Sequence, residues 1–84
     1  MAQLDKFFAL STCVHCRHTR EFLENNHVQI APMYVDKLGE VDREAALADM
    51  SKYNPQLSFP TLVFSNGEVV VGFQPEAIGK ELGL

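Results

Sequence analysis

The chain holds only two cysteines, Cys13 and Cys16, spaced three apart inside the stretch STCVHCRHTR at residues 11–20. Basic and imidazole side chains crowd them: His15 lies between, and Arg17 and His18 follow. A thiol pair at this spacing can form a static crosslink, ligate a metal, or cycle between dithiol and disulfide. A crosslink closing so small a loop restricts the unfolded chain very little, which argues against a purely structural role. Tetrahedral zinc asks for four ligands. His18 is a third candidate and His27 stands at the far end of the same predicted helix, but there is no second CxxC, and cysteines and histidines on one helix rarely surround a metal. Redox cycling is the favoured reading, with a metal-binding or iron–sulfur module as the alternative of another class.

Cycling requires a thiolate, so the attacking cysteine needs an environment that favours the anion. Cys13 follows a predicted strand and opens a predicted helix, where unpaired backbone N–H groups and the positive dipole end meet its sulfur. Cations at a helix N-terminus oppose the dipole. Helix stability therefore does not account for His15, Arg17 and His18, a mismatch of the kind expected at a functional site. Cys13 is expected to attack. Cys16, one turn in and more buried, is expected to resolve the mixed disulfide, and His15 to tune the Cys13 thiol. His18 reads more simply as an exposed helix residue, and Arg20 with Glu24 as a surface pair.

The elements that must position the pair follow from pattern. Residues 4–10 are short, aromatic and apolar, as a buried strand requires. Ser11 and Thr12 are good helix N-cap types. A helix is predicted over 13–26, with Val14, Phe22 and Leu23 on one face. Residues 28–35 read as a second strand, made irregular or placed at an edge by Pro32. The spacing of Val41, Ala45 and Ala48 predicts a helix over 40–53, with acids in its first turn and Asn54-Pro55 ending it. Residues 61–64 and 68–71 flank Asn66-Gly67, a strong hairpin signal. Pro75 opens a last helix to about Leu82. The order is β-α-β-α-β-β-α, an α/β chain forming a single domain over 1–84. Its first two strands are parallel and its last two antiparallel.

Composition bounds the partners. The 84 residues include seven basic and eleven acidic ones, for a net charge of −4, which argues against nucleic acid. No apolar run approaches membrane-spanning length, and the N-terminal stretch lacks a signal-peptide pattern. A cytoplasmic, soluble monomer is expected, and there an isolated CxxC is more often reactive than a static disulfide.

Strand–CxxC–helix, then Ser58-Phe59-Pro60-Thr61 before a hairpin, then Gly72 just after the last strand, resembles a glutaredoxin of the thioredoxin superfamily over nearly the whole chain. The resemblance implies a thioredoxin-like (glutaredoxin-type) fold, a four-stranded mixed sheet flanked by three helices, and a cis Phe59–Pro60 bond whose backbone pairs with an extended substrate segment. It implies no bound cofactor beyond a redox-active Cys13–Cys16 disulfide. Glutathione-using members usually carry Cys-Pro-Tyr-Cys, a Lys three residues before it and Thr-Val-Pro. They also carry Gly-Gly followed by a polar pair. Here Leu10 holds the Lys position, the motif is Cys-Val-His-Cys, and Phe73-Gln74 follow Gly72. Glutathione as reductant is thus the runner-up. The motif and Val71-Gly72-Phe73-Gln74-Pro75-Glu76 look closer to NrdH-type redoxins, which take electrons from a flavoprotein reductase and deliver them to ribonucleotide reductase. His15 for Gln, Gln74 for Arg and Val70-Val71 for Trp-Ser leave both partners open, and a ferredoxin-linked disulfide reductase is an equal candidate donor. Protein disulfides are the expected targets. Thr12, Val14, Phe59, Pro60, Gly72 and Phe73 are expected, with His15, to form the substrate rim.

Overall fold

The computed structural model describes residues 2–84. Its elements run β1 (Leu4–Ala9), α1 (Val14–Asn25), β2 (Met33–Tyr34), a short 3-10 turn (Val35–Lys37), α2 (Glu40–Ser51), β3 (Thr61–Phe64), β4 (Val69–Val71) and α3 (Pro75–Leu82). The strands form one sheet in the order β2-β1-β3-β4. β2 lies parallel to β1, and β1–β3 and β3–β4 are antiparallel. This is the thioredoxin-like architecture of three helices on a four-stranded mixed sheet.

Period-two alternation divides the core. Phe7, Ala9, Leu62 and Phe64 pack with Cys16 and Leu23 of α1 and Ile78 of α3. Phe8 and Val63 face the other way, against Ala46 and Met50 of α2 and Val35. Both faces of β1 and β3 are therefore covered, which explains their unbroken apolar runs.

Three local expectations are corrected. The second strand is two residues long instead of spanning 28–35: the end of α1 takes Val28, residues 29–32 form no regular element, and a 3-10 turn begins at Val35. His27 takes a left-handed conformation (φ 61°). Its N–H donates to Glu24 O at 3.0 Å and that of Val28 to Leu23 O at 2.8 Å. This is a Schellman cap with histidine in the usual glycine place. The buried stripe of α2 is Ala46 and Met50, while Val41 is 78% exposed, so the 41/45/48 spacing marked the solvent side. Val14 is 54% exposed and does not share the Leu23 face.

The hairpin forms where expected, in its three-residue version. Gly67 N–H donates to Phe64 O and Phe64 N–H to Glu68 O, both at 2.9 Å, and only Gly67 (φ 88°) is left-handed there.

Asn54 was legible only as a helix stop. It is 6% exposed and anchors the loop that precedes Pro60. Its Nδ2 lies 3.2 Å from Ser58 O, 3.0 Å from Ser58 Oγ and 3.0 Å from Thr61 Oγ1, and the Thr61 hydroxyl donates to Ser58 O at 2.8 Å. Removing a buried donor from such a cluster leaves acceptors unpaired, at about 1–3 kcal/mol. Asn54→Ala is expected to lower the urea-unfolding free energy by about that much at unchanged slope. A loss below about 0.5 kcal/mol would contradict this role.

Candidate active site

Register places the site. Phe8 pairs with Thr61, Thr61 with Val71, and Ala9 with Tyr34. The segments that leave or enter these residues therefore meet at one end of the sheet: Leu10–Cys13 after β1, Phe59–Pro60 before β3, and Gly72–Phe73 after β4. The Phe59–Pro60 bond is cis. Gly72 N–H donates to Pro60 O at 2.8 Å and ties two of the segments together. Gly72 is left-handed at φ 85°, a conformation in which a side chain would be strained.

Cys13 is itself the N-cap of α1, in place of the expected Ser11 or Thr12. Its Sγ accepts the Cys16 backbone N–H at 3.3 Å, so one orphan amide of the helix start is spent on the sulfur. The start of the helix and this N–H therefore face the Cys13 sulfur. Ser11 serves the approach loop instead. Its N–H donates to Asp36 Oδ1 at 2.9 Å and its hydroxyl to Oδ2. Donation by that hydroxyl, and then by the N–H, holds the Asp36 carboxyl below its ordinary value.

Both cysteines are free thiols. Cys13 is half-buried and Cys16 is 2% exposed. Burial, reinforced by the adjacent Cys13 side chain and opposed by the Leu10 backbone, pushes the Cys16 thiol up to about 12. The pair is thus split into an accessible sulfur and a protonated one behind it.

Thr12, Val14 and His15 are exposed on the helix start. Phe59, Gly72 and Phe73 are half-buried, and Pro60 is buried. Phe59 touches both cores. It also lines a cavity of about 320 Å³ with Leu10, Leu47 and Arg43. The Phe73 ring lies 5.9 Å from that of His18 and 6.2 Å, edge-on, from that of Phe22, so α1 braces the loop after β4. Nothing in the sequence spacing announces this ring pair between His18 and Phe73. Arg20 and Glu24 form the expected loose pair at 3.9 Å. Among the described residues no three His, Cys, Asp or Glu side chains converge as a metal set.

Comparison with known proteins decides the family: residues 6–70 match the model for glutaredoxin. The chain belongs to the glutaredoxin family. Glutaredoxin from Methanosarcina mazei Go1 is 33% identical, with 98% of this chain and 79% of that one covered and a TM-score of 0.87. Methanoredoxin from Methanosarcina acetivorans is 35% identical, with 93% and 82% covered and a TM-score of 0.88. Glutaredoxin from Archaeoglobus fulgidus is 28% identical, with 98% and 87% covered and a TM-score of 0.86. No curated protein sequence matches the chain. Family membership carries thiol–disulfide redox chemistry in general, and the two cysteines it needs are Cys13 and Cys16. Among the described residues no helix is long and apolar enough to cross a membrane.

The raised Cys16 thiol has a measurable consequence. Its protonated form is favoured in the fold, so its contribution to stability is whole below the unfolded thiol range and is lost as pH climbs from about 9 toward 12. The reduced protein should therefore lose stability more steeply over that window than Cys16→Ala. Parallel curves would contradict the assignment.

Proposed function

We propose that this glutaredoxin-family protein is a cytoplasmic dithiol–disulfide oxidoreductase that reduces protein disulfides, in the manner of NrdH-type redoxins. Cys13 attacks the target disulfide and Cys16 releases the reduced product. A flavoprotein or ferredoxin-linked disulfide reductase then restores the dithiol. The observation that carries this reading is the division of the pair: an N-cap sulfur at the surface receives a backbone N–H, while its buried neighbour stays protonated until needed. Ribonucleotide reductase is one candidate target, and the protein acts as a monomer.

Leu10 favours a protein reductant over glutathione. It fills the position where glutathione-using relatives carry a lysine, and it packs against the α2-side core, so that anchoring charge is replaced by apolar surface. The half-buried Phe59 and Phe73 give the rim apolar area suited to an extended polypeptide.

The test is a side-by-side turnover assay on a small disulfide. One arm supplies NADPH and a thioredoxin reductase; the other supplies NADPH, glutathione and glutathione reductase. Turnover confined to the first arm is the expected result. Turnover confined to the second would make the protein a glutathione-dependent glutaredoxin. Silence in both, with Cys13 still reactive, would direct the search to a ferredoxin-linked donor.

His15 has a separate test. It is exposed beside the pair, and as a cation it would stabilise the Cys13 thiolate and make the couple more oxidising. His15→Gln should shift both the thiolate titration and the reduction potential. If neither moves, His15 is only a surface residue.

A further inference from the structure

The Phe73 ring is held from outside the core. Among the described residues it packs in neither apolar cluster, whereas Phe59 touches both. Its backbone belongs to the three-residue link Gly72–Gln74 between β4 and α3. The ends of that link are fastened. Gly72 N–H donates to Pro60 O at 2.8 Å, Gln74 Nε2 to Val71 O at 2.6 Å, and Ile78 N–H to Gln74 O at 2.9 Å. None of these bonds reaches the ring. What meets it is α1, through His18 at 5.9 Å, tilted by 30°, and Phe22 at 6.2 Å, edge-on.

The two α1 rings differ in what else they do. Phe22 is half-buried and packs against the cluster of Phe7 and Leu23, so the core accounts for it. The His18 side chain is 47% exposed, and its Nδ1 lies 3.7 Å from Glu21 Oε1, beyond hydrogen-bond reach. An ion pair that loose and that exposed contributes little. The contact with Phe73 is the specific one His18 makes. A ring that already has its place loses less freedom when a partner lands on it, so bracing Phe73 acts on target binding and not on the reactivity of Cys13.

We propose that His18 is a positioning residue for target selection: its ring braces Phe73 from α1, so that Phe73 stands as a fixed apolar wall of the substrate rim. The inference rests on the reading of that rim as the seat of an extended target segment. It adds the class of target favoured, a segment with an apolar side chain next to the reactive cysteine. His18 acts through Phe73 and does not itself touch the target. Phe59 supplies apolar surface independently of His18, since the two cores hold it.

The test needs no reductase. Pre-reduced protein is mixed with one of two peptide disulfides, which carry Leu or Ser beside the cysteine. The peptide disulfide becomes two thiols as the dithiol becomes the Cys13–Cys16 disulfide. Each rate is divided by that of free dithiothreitol with the same peptide, and the Leu-to-Ser ratio then cancels any change in Cys13 reactivity or in the amount of active protein. The ratio should be about tenfold in the parent protein. It should fall about threefold in His18→Gln, which removes the ring, and recover in His18→Tyr, which restores one. Phe73→Ala should lower it as well, and adding His18→Gln to that variant should lower it no further. A parent ratio near one, a ratio that His18→Gln leaves unmoved, or no recovery in His18→Tyr overturns the positioning role alone. An equal further fall in the Phe73→Ala background also overturns it, because His18 would then meet the target directly. Failure of both peptides to oxidise the pair overturns the reading of protein disulfides as substrates, and the positioning role with it.

Discussion

A one-residue slip between β1 and β3 would dismantle the site. The pairing of Phe8 with Thr61, and of Thr61 with Val71, sets three separate loops at one end of the sheet. Slipping would also turn Phe7 and Phe8 to the wrong faces, each of which is buried against a different set of helices. Because both faces of the central strands are covered, hydrophobic burial itself enforces the register. The chemistry at Cys13 is thus positioned by the packing of Phe7, Phe8, Leu62, Val63 and Phe64.

On that frame, a few polar interactions do the fine placement. Ser11 is fastened to Asp36 on the approach to Cys13, Asn54 and Thr61 hold the loop that reaches Pro60, and Gly72 is bonded to Pro60. The helix then begins on the sulfur itself, and the Cys16 thiol is one turn deeper in the core. Burial, reinforced by the Cys13 side chain, separates the two cysteines chemically. One stays within reach of a substrate, and the other is kept protonated by desolvation.

Much of this was legible in the sequence. The element order, the parallel first pair and the hairpin follow from short apolar runs, turn residues and cap residues, signals that act locally. The CxxC at a strand-to-helix junction announced the redox pair in the same way. What escaped either follows no spacing rule or depends on a distant partner. The Schellman cap that ends α1 needs His27 in a left-handed conformation, which no spacing rule demands of histidine. The buried face of α2 was misread because alanines occur on several sides of that helix, so its apolar pattern had no single direction. Ser11 looked like a cap and became a tether, since its partner Asp36 lies 25 residues away.

The central claim is that Cys13 attacks and Cys16 resolves. The most direct test is to trap the intermediate. Reduced Cys16→Ser and Cys13→Ser are each exposed to a disulfide, quenched with acid and mapped by mass spectrometry. The account predicts a stable mixed disulfide on Cys13 in the first variant and almost none on Cys16 in the second. An adduct that accumulates on Cys16 when Cys13 is absent, with Cys13 left unmodified in the other variant, would contradict it.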